Sequence, residues 1–158
     1  METTKMGQLY EKIGEKLAET IPDTWNAIYL YGEILEDSRE VYFYYKSTSL
    51  NKIIYGHDIP EVLHVDRKEY RKLLRELTRL IVELHNEYEI NNVTVWSNLT
   101  FVVNERGEFT IKFDYDDIIN SPYSDRERQV IWEYDVMKVE HSNKEDKALI
   151  EEYLEGGK

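Results

Sequence analysis

Three carboxylates, Asp114, Asp116 and Asp117, fall within four consecutive positions. Acids at this spacing can hold a hard cation such as Mg²⁺ or share a proton in acid–base chemistry. On an extended segment Asp114 and Asp116 would share a face. Aspartate is also favoured wherever a strand gives way to a turn, because its side chain bonds the backbone two residues on. A metal-dependent enzyme and a solvated acidic patch are therefore both compatible with the cluster. Other chemistry is sparse. His57, His64, His85 and His141 are scattered, with no metal-binding pair among them. The seven glycines form no phosphate-binding run, and no serine sits in a nucleophile elbow. The absence of cysteine excludes thiolate zinc sites, disulfides and thiol nucleophiles. The residues point to a protein that is not an enzyme and has no cofactor and no metal.

The elements that would carry these residues follow from periodicity. Met6, Leu9, Ile13 and Leu17 lie at helical spacing, and Ile21-Pro22 ends that helix. Trp25 to Leu35 and Val41 to Lys46 read as strands joined at Glu36-Asp37-Ser38, with Lys52 to Tyr55 as a short third. His57 to Val65, containing Pro60, reads as loop. Asp66 caps a long helix, with Glu69 three residues on and Leu73, Leu77, Leu80, Ile81 and Leu84 on its apolar face. Arg71, Arg75 and Arg79 line its flank, where Glu69, Glu76 and Glu83 are expected to balance them through pairings three and four residues apart. Val93 to Asn104 predicts a long strand. A turn at Asn104 to Gly107 returns it as Phe109 to Tyr115, so the three acids close a hairpin. Ser124 opens a helix running to about Met137, and Lys144 to Leu154 predicts another. The order implies an α+β fold: an antiparallel sheet of four to five strands with helices packed mainly on one face, in a single domain over residues 1–158.

The 158 residues carry 20 Lys and Arg against 32 Asp and Glu, a formal net charge of −12. Such a field opposes unassisted binding to nucleic acid or to an anionic membrane and favours a cationic partner. The charge is uneven. Residues 93–158 hold fifteen acids and eight bases, whereas residues 61–92 hold seven and six. No apolar run approaches the ~18 residues of a membrane span. The first seventeen residues intersperse Lys and Glu, unlike a signal peptide, so a cytoplasmic location is expected. Aromatic rings accompany the acids: Tyr115 lies among the aspartates, and Trp132 and Tyr134 alternate with Glu133 and Asp135. Rings among carboxylates suit an interface that reads a basic protein. In Tyr42-Phe43-Tyr44-Tyr45, alternation sends Phe43 and Tyr45 to one face of a strand and Tyr42 and Tyr44 to the other.

Several of these segments, in this order, resemble the YezG-like immunity proteins. The resemblance rests on Ile21-Pro22 followed by Trp25, the string Tyr42-Phe43-Tyr44-Tyr45, Trp96, and the turn Arg106-Gly107-Glu108-Phe109. It continues through Phe113-Asp114-Tyr115-Asp116 and Arg128 with Trp132 and Tyr134, covering about residues 6–140. After Tyr134 the chain departs from the family, with Asp135-Val136-Met137-Lys138 where a glycine-containing turn is expected. The resemblance implies a cytoplasmic antitoxin. Its partner would be an LXG-type polymorphic toxin exported by type VII secretion, often with a nuclease domain. It supplies no catalytic residue. A nuclease needs a cationic surface for phosphates, which a negative protein can occupy. The residues expected to bind the toxin are Asp114, Tyr115, Asp116, Asp117, Trp132, Glu133, Tyr134 and Asp135.

Overall fold

The first helix, α1 (Thr4–Thr20), begins where the Thr3 hydroxyl accepts the Met6 N–H at 3.1 Å. Its stripe of Met6, Leu9, Ile13 and Leu17 is fully buried, at about 1.5–3 kcal/mol for each such side chain. Three antiparallel strands follow: β1 (Trp25–Ile34), β2 (Arg39–Ser47) and β3 (Lys52–Tyr55). The long helix α3 (Arg67–Asn91) then starts from Asp66, whose carboxylate accepts the Glu69 N–H at 2.9 Å. Strands β4 (Asn98–Asn104) and β5 (Phe109–Asp114) complete one sheet in the order β3-β2-β1-β4-β5. Helices α4 (Asp125–Met137) and α5 (Lys144–Gly156) close the chain.

This is a computed structural model, and it describes residues 2–156. With five helices and five antiparallel strands among the described residues, the fold is α+β. None of these helices is long and apolar enough to cross a membrane. Two compact units divide the chain, one ending at Asp116 and the other beginning at Asp117.

In the first unit α1 and α3 cover one face of the sheet. Alternate residues of paired strands point into that layer: Ile28 and Leu30 from β1, Phe43 and Tyr45 from β2, Leu99, Phe101 and Val103 from β4. Gly32 of β1 lies under α3, where an added Cβ would stand 2.9 Å from the Ile81 Cγ2. Only glycine admits the helix this closely. Tyr42 and Tyr44 take the opposite face, as alternation requires, in a ring ladder with Tyr31 and Tyr55. Those two rings are buried as well.

Two expectations are corrected. Residues 57–65 are not a plain loop, for a 3-10 turn (Gly56–Asp58) leads into the one-turn helix α2 (Ile59–Val62). Pro60 lies in its first turn, where the missing N–H costs nothing. The strand expected from Val93 begins only at Asn98. In a strand running from Val93 the odd positions Val93, Val95 and Leu99 would share one face. The ring actually buried is Trp96, stacked on Phe113 at 5.6 Å, and Val93 is exposed. Burying both Trp96 and Leu99 requires a break in the period of two.

The second unit is an α4–α5 pair. Ser124 caps α4 in a complete capping box with Glu127. Val130 and Ile131 pack on Leu149 and Ile150, edged by Tyr123, Tyr134 and Tyr153.

Candidate functional site

The hairpin delivers the acidic cluster to the end of β5, opposite the start of β4. The Asp114 carbonyl accepts the Ser97 N–H at 2.9 Å, and the Ser97 hydroxyl donates to the Asp116 carbonyl at 2.8 Å. The Asp114 carboxylate accepts the Asp116 N–H at 3.1 Å, the local turn that aspartate favours. Burial, followed by the adjacent Asp114 carboxylate, holds the Asp116 carboxyl above its ordinary range, with Lys112 opposing. Tyr115 between them is 51% exposed. Its hydroxyl is hydrogen-bonded to that of Tyr88 near the end of α3. That bond, followed by burial, pushes the Tyr115 phenol up to about 12. Tyr88 rests on Phe113 at 5.0 Å, and Phe113 stacks on Trp96. Through these rings the acidic end is anchored to α3.

Asp117 opens the second unit as a turn former, its carboxylate accepting the Asn120 side-chain N–H at 2.6 Å. The α4 candidates are unequal. Trp132 is only 8% exposed, so its ring is not displayed as an anchor. Tyr134 edges the α4–α5 core. Glu133 meets the His141 ring at 2.8 Å, and Asp135 accepts the Tyr153 hydroxyl at 2.5 Å. Within their own units the structure thus groups Asp114, Tyr115 and Asp116 at one strand end, and Glu133, Tyr134 and Asp135 on one helix.

A family model described as "Immunity protein YezG-like" matches residues 6–151. The chain belongs to the YezG-like immunity family. It is similar to the immunity protein YezG of Bacillus subtilis strain 168, with 42% identity over 149 residues, 94% of this chain and 99% of that one. It is likewise similar to the immunity protein YezG of Bacillus spizizenii, with 40% identity over 154 residues, 98% and 96% of the two chains. A more distant likeness, 26% over 130 residues, covering 82% and 80%, is to the type VII secretion system protein EsaG of Staphylococcus aureus.

At the segment Asp135-Val136-Met137-Lys138, where a glycine-containing turn is the expectation, this YezG-like chain ends α4. Lys138 caps α4 in the left-handed conformation, with φ 59° and ψ 33°. A helix commonly ends this way on glycine, and a side chain there costs about 1 kcal/mol. Lysine therefore holds a position whose backbone favours glycine.

Two structural acids escaped the sequence reading. The Asp23 carboxylate gathers the hydroxyls of Tyr45, Ser47 and Ser49 at 2.9, 2.7 and 2.6 Å, tying the entry of β1 to the end of β2. Burial raises its pKa, but these bonds outweigh it and leave the group below its ordinary value. In α5, Asp146 is buried and bonded by Asn143 and by Arg126 at 2.7 Å. Asn143 foremost, then Arg126, hold its carboxyl below the ordinary range against burial. Only the serines near Ser47 and the Asn-x-x-Asp spacing hinted at either.

The expected balance along α3 is also corrected. Glu76 reaches Lys16 of α1 at 3.3 Å, and Glu83 lies 4.0 Å from Lys5. Packing α1 against α3 offers those acids lysines across the interface. Arg71, Arg75 and Arg79 have no acidic partner among the described residues.

Proposed function

We propose that this YezG-like protein is an antitoxin that binds a cognate secreted toxin in the cytoplasm of the producing cell and blocks it by occupancy, without catalysis. The observation that carries this reading is the family match over residues 6–151, joined by about 40% identity to two immunity proteins across nearly the whole chain. The likeness to a protein named for type VII secretion supports that export route for the toxin, with an LXG-type carrier as the matching class.

The toxin domain is read as a nuclease with a basic surface. Support comes from the net charge of −12 and its concentration beyond residue 92. Charge of this sign steers association with a cationic surface and competes with phosphate for it. Tyr115, half-exposed between two carboxylates on an anchored strand end, has the features of an interface hot spot. Asp114 and Asp116 supply charge on either side of it in the first unit. In the second unit Asp117, Glu133, Tyr134 and Asp135 are read as further toxin contacts, and Trp132 supports α4 from its buried position.

Co-expression with the toxin gene adjacent in the genome tests the reading. Cells carrying both are expected to grow, and cells carrying the toxin alone are expected to die. Equal killing in both would sink it. Purified toxin domain titrated with this protein is expected to lose nuclease activity at one equivalent, and loss of killing without loss of cleavage would overturn the nuclease assignment.

A further inference from the structure

A cavity of about 510 Å³ opens in the first unit between the flank of α3 and the start of β2. Arg71, Arg75 and Arg79 line it from the helix and Arg39 from the strand, and no acid takes part. The helical three are spaced four residues apart, on one face, so they share the opening. None of the four guanidinium groups has an acidic partner or a hydrogen bond among the described residues. The acids of α3 that might neutralise them, Glu76 and Glu83, are engaged by Lys16 and Lys5 of α1. In a chain where acids outnumber bases 32 to 20, four unpaired bases around one cavity run against the composition. Like charges four apart on a helix also repel, by a few tenths of a kcal/mol for each pair. Together these features favour an anion in the cavity.

The rest of the lining narrows the anion. Val41, Phe43, Leu74 and Leu77 form an apolar floor, and the ring of His57, stacked on Tyr55 at 4.9 Å, stands at the wall. The volume falls in the range of small-molecule sites, roughly 300–1,000 Å³. A planar carboxylate satisfies one or two guanidinium forks. A phosphoryl group, and still more a pyrophosphoryl group, spreads its oxygens in three dimensions and can accept from forks on both walls. A concave wall of low dielectric concentrates the field of the four cations against the negative remainder of the molecule. We infer that the Arg39–Arg71–Arg75–Arg79 cavity is a binding site for a small organic phosphate with at least two phosphoryl charges, whose carbon portion rests on the Val41–Phe43–Leu74 floor. None of the residues lining this site is among those read as the toxin contact, so either reading can fail without the other.

Calorimetric titration of the full chain with pyrophosphate and with ADP tests it. One saturable site is expected for each, weakening as salt rises, with ADP tighter because its organic part meets the floor. Arg75→Gln and Arg39→Gln, both exposed and so not needed for folding, are each expected to weaken binding about tenfold, the scale of one charge-assisted contact. Arg106→Gln, on the β4–β5 turn away from the lining, is expected to leave it unchanged, and circular dichroism checks that each variant is folded. No saturable pyrophosphate binding to folded protein would overturn the inference. So would equal weakening by Arg106→Gln, or tighter binding of citrate than of pyrophosphate. A 5′-phosphorylated oligonucleotide binding more tightly than ADP would overturn the assignment to a small molecule.

Discussion

The acidic strand end and the arginine-lined flank of α3 are both clusters of like charge, yet they are built in opposite ways. At the end of β5 the Asp114 carboxylate accepts the Asp116 N–H, Ser97 binds two main-chain carbonyls, and Tyr115 is tied to Tyr88. Much of that cluster is accounted for by the turn it makes. Along α3 the guanidinium groups of Arg71, Arg75 and Arg79 make no such bonds among the described residues, and Glu76 and Glu83 lie toward lysines of α1. An acidic cluster in an acidic protein needs little explanation beyond local geometry, whereas an unpaired basic one does.

The largest expected effect removes the support of the acidic end. Trp96 is fully buried between Phe113 and the His85 ring, and Trp96→Ala should cost about 3–5 kcal/mol in urea denaturation. A loss under 1 kcal/mol would mean that the strand end does not depend on this stack. Binding should then separate the two regions. Tyr115→Ala or Asp116→Lys is expected to weaken toxin binding by roughly ten- to a hundredfold while leaving pyrophosphate titration unchanged. Arg75→Gln should do the reverse. Variants that move both affinities together would erase the distinction.

A stabilising change outside both regions serves as a control. Lys138→Gly relieves the left-handed cap of α4 and should add about 1 kcal/mol without altering either affinity. The smallest expected effects are on pH dependence, and they have opposite signs. Burial, opposed by Asp58, pushes the His57 pKa below its ordinary value. Its contribution to stability is therefore present above the unfolded pKa near 6.5 and is lost as pH falls toward the folded value. The Asp116 pKa is raised, so its contribution is full below the unfolded pKa near 3.8 and disappears as pH rises through the folded value. Asp114→Asn should lower the Asp116 titration observed by carbon NMR and leave the His57 titration in place.

Local signals carried most of the fold. The Asp66 and Ser124 caps, the alternation of Phe109 to Phe113 and the stripe of α1 depend on neighbours in sequence, and the elements follow them. The strand expected from Val93 starts only at Asn98, because alternation cannot register that Trp96 is drawn beneath Phe113 by contacts distant in sequence. For the candidate site, the acids and their rings were visible as a string. That Trp132 is buried while Tyr115 is half-exposed was not, since identical residue types serve cores and interfaces.

The sequence by itself determined the elements, the sign and unevenness of the charge, and membership of the YezG-like family, because each is written in the order and spacing of residues. Only the tertiary structure decided which charges have partners. Glutamates spaced to neutralise the α3 arginines turn instead to α1, and Arg39 arrives beside those arginines from a strand some thirty residues earlier. Electrostatic pairing acts over a few ångströms of space, and spacing along one helix reports only the neighbours that helix supplies.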